Sequence, residues 1–382
     1  MIYLDFAAAT PISEKAFTAM EPFFSELFFN PSSPYLPAID VREKYELAKN
    51  DIAHIIGAKG NDLVITAGAT ESINLAFTAI GGHAKVLYLA TEHAAVREAA
   101  SVFSHSEISV DKTGMIDFKD LKSKISDDVE LISVSLANNE LGTIQPLAEI
   151  AEIIRGVRQE RLSRGINTPL YFHSDASQAM NLIDINVTRL GVDLLTISAA
   201  KVYGPKGVGA LYVAHGVKLR PITRGGGQER GLRSGTENVA GVIGFAAAAK
   251  HAKDHLNGNR KKYEKLTEIL KNELKKCRIE PLFLGNTKHH LVNFCPVSFP
   301  GIDAERLIYK LEEKEIYVST GAACAANKDE KSHTLMAIGL TDKEIAGSLR
   351  LTLGVLNDEE QIKIAGQKIV EAVNEELERM KK

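Results

Sequence analysis

Cysteine is scarce in this sequence: only Cys277, Cys295 and Cys324 occur among 382 residues. Their number is odd, and none of them stands at the short spacing of a metal-binding pair. A framework of disulfide bonds is therefore not expected, and the pattern indicates a reducing cytoplasm. We also expect no metal site.

Long apolar runs and an excess of one charge are absent as well. No run approaches the length that crosses a bilayer, and residues 1–5 lack the basic and apolar regions of a signal peptide. The 46 basic and 49 acidic residues are well mixed and leave a net charge of −3. We therefore expect a cytoplasmic protein that binds neither a membrane nor nucleic acid directly.

What the sequence does contain is a regular alternation of apolar and amphipathic segments. Strands are predicted at 63–66, 86–90, 131–137, 170–173, 194–197 and 208–213. Helices are predicted at 41–56, 71–80, 92–103 and 147–155. Strands that are apolar on both faces and joined by helices predict an α/β fold with a mostly parallel sheet covered by helices.

After residue 238 the pattern changes. Two helical stretches at 238–255 and 261–276 precede short strands at 291–297 and 349–353 and helices at 304–311 and 359–380. This texture predicts a second, smaller α+β domain in a chain that is long enough for two. The expected division is an N-terminal arm at 1–14 associated with the small domain, a large α/β domain at 15–250 and the small domain at 251–382.

Lys201 lies between two predicted core strands, ahead of the turn at Gly204-Pro205. A lysine at the end of a strand most often extends to solvent. A desolvated lysine instead loses its proton readily and acts as a nucleophile or forms a Schiff base. Lys206 is a second candidate nearby, and this stretch alone does not distinguish the two.

Polar side chains follow several predicted strands, where a parallel sheet binds its ligands. They are Thr70, His93, Asn139, Asp175, Gln178, Ser198 and Lys201. Asp175 is typical either of a turn or helix cap, or of a buried anion that keeps a heterocyclic nitrogen protonated. His93 is typical either of a hydrogen-bonded residue at the start of a helix or of a side chain that lies over a ring.

The strand, glycine turn and helix at 63–80 form either a simple capped helix or, with the hydroxyls of Thr70 and Ser198, a phosphate site. A Schiff-base lysine, a partner for a pyridinium nitrogen and a phosphate cradle are the parts that a pyridoxal phosphate site needs. The sequence therefore favours this cofactor at the carboxyl edge of the sheet.

Seven segments occur in the order in which one family of enzymes has them, and they extend over nearly the whole chain. They are 66–72, 91–93, 138–143, 173–178, 201–207, GGGQERGLRSGT at 225–236 and STGAAC at 319–324. On these segments the chain resembles the cysteine desulfurases, class V members of the fold-type I pyridoxal phosphate enzymes. The stretch from Cys324 to Ser332-His333 resembles the group that serves iron–sulfur cluster assembly and tRNA thiolation.

The resemblance implies the fold of a fold-type I PLP-dependent transferase and a role for each residue of the cofactor site. Lys201 forms the Schiff base with pyridoxal 5′-phosphate and moves the α-proton of the substrate. Asp175 pairs with the pyridine nitrogen, Gln178 with the ring oxygen, and His93 stacks on the ring. The remaining cofactor-binding residues are Ala69, Thr70, Ser198 and Thr236. Of these, Thr70 and Ser198 contact the phosphate and Thr236 reaches the phosphate of a neighbouring subunit, which implies a homodimer.

The resemblance also assigns the residues that handle the substrate. Asn139 and Arg350 hold its carboxylate, which the planar fork of an arginine binds bidentately. The alternative for Arg350, a surface ion pair, is weakened by its place inside an apolar strand. Cys324 resembles the nucleophile of the family, and its small neighbours favour exposure over the usual burial of a lone cysteine. Cys277 and Cys295 are interpreted as structural.

The chain departs from the family pattern at two places. Ala200 stands where the family has a histidine before the Schiff-base lysine, and Tyr35-Leu36 replaces another histidine. The first change removes a phosphate contact and is expected to weaken cofactor binding by about 1–3 kcal/mol. Lys201, Asp175, Cys324 and Arg350 are all retained, so we expect an active enzyme.

The favoured hypothesis is a homodimeric desulfurase that converts L-cysteine to L-alanine. The sulfur passes as a persulfide on Cys324 to an acceptor protein for iron–sulfur cluster assembly or tRNA thiolation. Two alternatives stay open at this point. One is a selenocysteine lyase or another class V aminotransferase or lyase. The other is a weakly active scaffold protein, for which Ala200 is the only support.

The role of Cys324 predicts a specific defect in the variant Cys324→Ser. The variant should lose persulfide formation and retain the absorbance of the bound cofactor, because the hydroxyl is a far weaker nucleophile than the thiolate. Persulfide-reactive labelling and an absorbance spectrum of the same sample check both points. Release of sulfide at the full rate by this variant would contradict the hypothesis.

Overall fold

The computed structural model describes residues 1–320 and 331–381. Its strands are β1 (Ile2–Tyr3), β2 (Leu63–Thr66), β3 (Lys85–Leu89), β4 (Ser104–Ile108), β5 (Val129–Ser133), β6 (Tyr171–Asp175), β7 (Leu194–Ser198), β8 (Gly209–Val213), β9 (Leu282–Phe283), β10 (Phe294–Ser298), β11 (Ile316–Tyr317) and β12 (Ser348–Thr352). Its helices are α1 (Glu14–Met20), α2 (Pro22–Ser25), α3 (Leu36–Ile55), α4 (Ala69–Phe77), α5 (Ala94–Ala100), α6 (Phe118–Lys124), α7 (Leu147–Ser163), α8 (Val187–Leu190), α9 (Val239–Leu274), α10 (Ala304–Glu312), α11 (His333–Ala337), α12 (Asp342–Ala346) and α13 (Glu359–Met380).

A seven-stranded sheet in the order β2-β8-β7-β6-β5-β3-β4 forms the centre of the large part of the fold. Strand β8 runs antiparallel to both of its neighbours, and the other neighbouring pairs are parallel. Adjacent residues point to opposite faces, so that Leu63 joins one apolar cluster and Val64 joins the other. The predicted α/β fold with a mostly parallel, doubly covered sheet is confirmed.

A second sheet has three antiparallel strands in the order β12-β10-β9. Helix α13, whose bounds Glu359–Met380 are those predicted from the sequence, packs against α9 and α10. The first residues of the chain reach this part of the molecule, since β1 pairs in parallel with β11. From there residues 4–10 continue toward the carboxyl edge of the large sheet, where Thr10 N–H donates to the carbonyl of Ala200 at 3.1 Å.

The two helical stretches predicted at 238–255 and 261–276 form one helix, α9, of 36 residues. Asn257, Gly258 and Asn259 are poor helix formers and favour a break. The helix continues through them because its two halves pack against different helices, including α1, α3 and α13. The expected domain boundary at 250/251 falls inside α9, and the division into domains stays a prediction. No described helix, α9 included, is long and apolar enough to cross a membrane.

The structure also corrects the segment between residues 92 and 137. The helix predicted at 92–103 is limited to Ala94–Ala100, and a strand that was not predicted, β4, follows at Ser104–Ile108. Strand β4 lies at the edge of the sheet and is largely exposed and polar, so it lacks the apolar pattern of a buried strand. The strand predicted at 131–137 ends at Ser133.

Gly209 shows how closely the chain is packed where the site is built. It lies on β8 between Thr66 of β2 and Ser198 of β7. A Cβ atom there would lie 2.8 Å from backbone atoms of Gly68 and from the carbonyl oxygen of Ile197. Backbone atoms cannot move aside cheaply, so this position admits no side chain.

The variant Gly209→Ala is therefore expected to lose stability by about 1–3 kcal/mol through overpacking. The midpoint of urea unfolding measures this loss. Gly82→Ala is the matched control, since a Cβ at Gly82 meets no atom within 4 Å, and it should shift stability by less than about 0.5 kcal/mol. Equal midpoints for both variants would show that the contacts around Gly209 are unimportant.

Candidate active site

A cavity of about 240 Å³ opens at the carboxyl edge of the large sheet. Nine of the residues predicted for the site line it: Ala69, Thr70, His93, Asn139, Asp175, Gln178, Ser198, Lys201 and Arg350. They come from six separate stretches of the chain, and Arg350 comes from strand β12 of the second sheet. The fold therefore joins its two larger sheets at this cavity.

Lys201 follows β7 in a single turn of 3-10 helix at Ala199–Lys201. Its Nζ donates to the carbonyl of Ala7 at 2.7 Å and to that of Ala8 at 2.6 Å. The competing candidate, Lys206, is exposed and donates to the carbonyl of Thr10 at 3.4 Å. Of the two candidates, Lys201 is the lysine that lines the cavity.

Asp175 is the last residue of β6, next to the neighbouring strand β7. Its Oδ1 accepts from the backbone N–H of Ser177 at 2.9 Å, which is the turn role that the sequence offered as one alternative. The same residue also lines the cavity, so its turn role does not exclude the other alternative. Gln178, three residues later, donates from Nε2 to the carbonyl of Ala7 at 2.9 Å.

His93 caps the start of α5, and its Nδ1 accepts from the backbone N–H of Ala95 at 3.1 Å. Burial lowers the pKa of His93, the carboxylate of Asp175 opposes this shift, and the charge of Lys201 adds to it. The imidazole is therefore neutral at pH 7, with its hydrogen on Nε2. It serves as a helix cap and as part of the cavity wall.

Glu92 was not predicted for the site, and it contacts the lining of the cavity through Ser135. Only 3% of its surface is exposed. It accepts from the backbone N–H of Ser135 at 2.5 Å and makes a second hydrogen bond with the Ser135 hydroxyl. The pKa of Glu92 is raised to about 8, because burial outweighs the hydrogen bonds with Ser135, which lower it, and the charge of Asp175 adds to the rise. A protonated Glu92 leaves Asp175 as the main negative charge here.

The start of α4 forms another side of the cavity. Gly68 precedes this helix with φ +150°, a conformation that favours glycine, and a Cβ there would meet no atom within 4 Å. The hydroxyl of Thr66 bonds the Ser72 hydroxyl at 2.7 Å, which ties the strand to the helix. The first backbone N–H groups of a helix have no partner within it, and they attract anions. Ala69 and Thr70 place this anion-attracting end against the cavity.

Arg350 lies at the opposite side and is 2% exposed. Its Nη2 contacts Oδ1 of Asp5 at 2.7 Å, and its Nη1 donates to the carbonyl of Asn139 at 3.2 Å. Its Nε has no hydrogen-bond partner among the residues that the structure describes. The arginine makes an ion pair, but a buried one, and it retains a donor that an anion would satisfy.

Of the predicted residues that the structure describes, Thr236 does not line the cavity. Thr236 is exposed at the end of the 225–236 segment. Within this segment Glu229, at φ +48°, is held by Tyr45 at 2.6 Å, Lys49 at 2.7 Å and the backbone N–H of Ile65 at 2.8 Å. The segment is thus firmly attached to α3 and β2. Cys324 lies outside the described residues, between Thr320 and Lys331.

The other two cysteines have the properties of structural residues. Cys295 is fully buried in β10, and burial raises the pKa of its thiol to about 12. Cys277 follows α9, and partial burial raises the pKa of its thiol to about 11. Neither thiol is a good nucleophile near pH 7. The described residues contain no group of three or more side chains that could hold a metal ion.

The residues of the cavity fit pyridoxal phosphate. Lys201 supplies an amine, Asp175 a carboxylate at the end of the neighbouring strand, and the α4 terminus an anion site with open space beside Gly68. These are the donors that an aldehyde, a pyridine nitrogen and a phosphate require. Arg350 also lines the cavity and has an unpartnered Nε among the described residues, so its guanidinium supplies the positive charge that a second anion, such as a carboxylate, requires.

Comparison with known proteins supports the same assignment. Residues 2–364 match the family described as aminotransferase class V. A relative named cysteine desulfurase IscS 1, from Archaeoglobus fulgidus, is 40% identical over 95% of this chain and 94% of its own length. A relative named cysteine desulfurase IscS, from Dictyoglomus turgidum, is 39% identical over 94% of this chain and 91% of its own.

Solved structures give a similar result. A protein titled NifS-like superposes with a TM-score of 0.88 at 32% identity and covers 97% of this chain and 98% of its own. A second structure, titled SspA in complex with cysteine, has a TM-score of 0.79 at 29% identity and covers 92% of this chain and 99% of its own.

Residues that were not predicted from the sequence bond several of the predicted ones. They are Asp5, Ala7 and Ser177. Asp5 and Ala7 belong to an arm that shows no helical or strand periodicity, and their contacts are with residues far along the chain. The one available signal was an acidic residue next to small residues in an otherwise apolar segment.

The raised pKa of Glu92 predicts how the stability of the variant Glu92→Gln depends on pH. The unfolded glutamate ionises above about pH 4.5, whereas the folded one stays protonated to about pH 8. The wild type therefore loses stability as the pH rises through this window, and the variant does not. We expect Glu92→Gln to gain about 1–3 kcal/mol relative to the wild type between pH 5 and pH 8.

Urea unfolding at pH 5 and pH 8 measures this difference. Glu98→Gln is the control, because Glu98 is exposed on the same helix, α5. A pH-independent difference between Glu92→Gln and the wild type would show that Glu92 is already ionised in the folded protein.

Proposed function

We propose the following substrate, cofactor and residue roles for the site of this chain. The chain belongs to the aminotransferase class V family, and its likeness to the cysteine desulfurases identifies it as one of them. Membership of the family confirms the resemblance predicted from the seven sequence segments. The observation that carries the proposal is one cavity in which a lysine, a carboxylate, an anion-binding helix terminus and a buried arginine face the same space.

The cofactor is pyridoxal phosphate. When bound, it supplies an electron sink for the negative charge that develops on the α-carbon of an amino acid. Lys201 is the residue that holds and moves the α-proton at its Nζ. Asp175 keeps a positive charge on the pyridine nitrogen, and Gln178 donates to the ring oxygen. His93, neutral and fixed by its helix cap, lies over the ring, while Ala69, Thr70 and Ser198 surround the phosphate.

The substrate is L-cysteine. Its carboxylate binds Arg350, whose buried guanidinium has a donor to spare, with Asn139 beside it. This orients the α-hydrogen toward Lys201. The similar structure that is titled as a complex with cysteine supports this choice of substrate.

Cys324 takes the sulfur. Its thiolate attacks the sulfur of the bound cysteine, so that an S–S bond forms and the Cβ–S bond breaks. The electron pair of the broken bond stays on the carbon, which gains the proton that the substrate thiol has lost, and the product is L-alanine. The sulfur remains on Cys324 as a persulfide until an acceptor protein for iron–sulfur cluster assembly or tRNA thiolation removes it.

The active form is a homodimer in the cytoplasm. Thr236 is exposed at the end of a segment that Glu229 attaches firmly to α3 and β2. A rigid, exposed segment of this kind suits a residue that contacts the phosphate in a second subunit. The cytoplasmic location is proposed because the cysteines are few and odd in number.

The test is an absorbance spectrum of the purified protein, recorded before and after addition of L-cysteine, with alanine quantified in the same sample. We expect a cofactor band that shifts, and formation of about one alanine per sulfur transferred, because the carbon and sulfur come from one substrate. A band that shifts without formation of alanine would indicate that the substrate is another amino acid. A protein that stays colourless after addition of pyridoxal phosphate would disprove it.

A further inference from the structure

We propose that Asp5 is a positioning residue of the substrate site, which acts by holding the guanidinium of Arg350 in the orientation that receives the substrate carboxylate. The inference rests on the proposed function and extends it to the N-terminal arm. It gives a role to residues that no part of the reaction described above uses.

Asp5 and Arg350 form a largely buried ion pair. Oδ1 of Asp5 lies 2.7 Å from Nη2 of Arg350, and their side chains are 17% and 2% exposed. A cation buried to this degree requires a compensating charge. The backbone carbonyl of Asn139 accepts from Nη1. Because a guanidinium is planar, fixing both Nη atoms fixes the direction of the remaining Nε–H.

The N-terminal arm itself contains a tight turn. Residues Asp5–Ala8 form a turn, closed by a hydrogen bond from Ala8 N–H to the carbonyl of Asp5 at 3.0 Å. The ends of such a turn lie within about 7 Å of each other. The turn is anchored to β12, since Ala7 N–H donates to the hydroxyl of Thr352 at 2.9 Å.

The same turn contacts the other cation of the cavity. The carbonyls of Ala7 and Ala8 accept from Nζ of Lys201 at 2.7 and 2.6 Å. Lys201 follows β7 of the seven-stranded sheet and Arg350 lies on β12 of the three-stranded sheet, and the residues that bind them, Asp5 to Ala8, span only four positions of the chain. The turn therefore sets the separation of the two cations.

This separation is what an α-amino acid requires. Its carboxylate and its α-hydrogen are attached to one carbon atom, so Arg350 and Lys201 must approach the same small group from two sides. A near-attack geometry tolerates little displacement of either residue. Asp5 maintains the Arg350 side of this geometry, and its loss is expected to affect ligands with a carboxylate selectively.

The test compares Asp5→Asn with the wild type, both as holoenzyme. Asparagine retains the shape of the side chain and removes its charge. We expect the KM for L-cysteine to rise about tenfold or more, with kcat within about threefold, because the loss lies in binding the carboxylate. Glu315→Gln is the matched control. Glu315 pairs with the N-terminal amine at the other end of the arm and is exposed, so its KM should not change.

A second readout separates positioning from simple stabilisation of the arm. L-alanine and cysteamine, which has no carboxylate, are titrated into each protein and followed by the cofactor absorbance. Asp5→Asn should bind L-alanine about tenfold more weakly and cysteamine as the wild type does. Equal losses of affinity for both ligands would show that Asp5 has only a structural role. An unchanged or lower KM for L-cysteine would also overturn the inference, the latter by showing that Asp5 competes with the substrate.

If Asp5→Asn does not fold, as judged by urea unfolding, Asp5→Glu provides the same test. This variant keeps the charge but displaces it, so it should bind L-alanine more weakly than the wild type and cysteamine equally well. Affinities for both ligands that equal those of the wild type would overturn the inference. A wild type that shows no response to L-alanine overturns the proposed function and, with it, this inference. A wild type that responds while Asp5→Asn responds identically overturns the inference about Asp5 alone.

Discussion

Strands β6 and β7 lie side by side and run in the same direction, so Asp175 at the end of one and Ser198 at the end of the other meet at a single edge. Strands β2 and β3 bring further residues to this edge. Helix α4 begins after β2 and α5 begins after β3, and both present their N-terminal ends to this edge. Parallel pairing therefore gathers the carboxylate and the capping histidine. Strand β2 runs in the same direction as β7, because β8 lies antiparallel to both, and so the α4 terminus joins them at this edge.

Charge compensation completes the site. The cavity holds Lys201 and Arg350, two cations from different sheets, and burying either one without partners is costly. The N-terminal arm supplies partners to both, as the carboxylate of Asp5 and the carbonyls of Ala7 and Ala8. On the other side burial keeps Glu92 protonated, so it adds no negative charge next to Asp175. The arm is therefore part of the active site and not only a link between sheets.

The errors of the sequence analysis have definite causes. Asn257, Gly258 and Asn259 weaken a helix in isolation, yet α9 continues through them because packing outweighs propensity. Strand β4 carries polar residues because an edge strand meets solvent, so its pattern resembles a loop. The predicted helix at 92–103 was too long at both ends. His93 acts there as a cap, and the chain after Ala100 is needed for β4.

The sequence by itself determined the buried strands of the large sheet, most of the helices that follow them and the polar residues at the strand ends. These features depend on neighbours a few positions apart, through periodicity, turns and caps. It also carried the segments that identify the family. The tertiary structure decided which of Lys201 and Lys206 faces the cavity, that Glu92 stays protonated, and that Asp5 meets Arg350 across 345 positions of the chain. Burial and ion pairing act between residues that only folding brings together, and no local pattern records them.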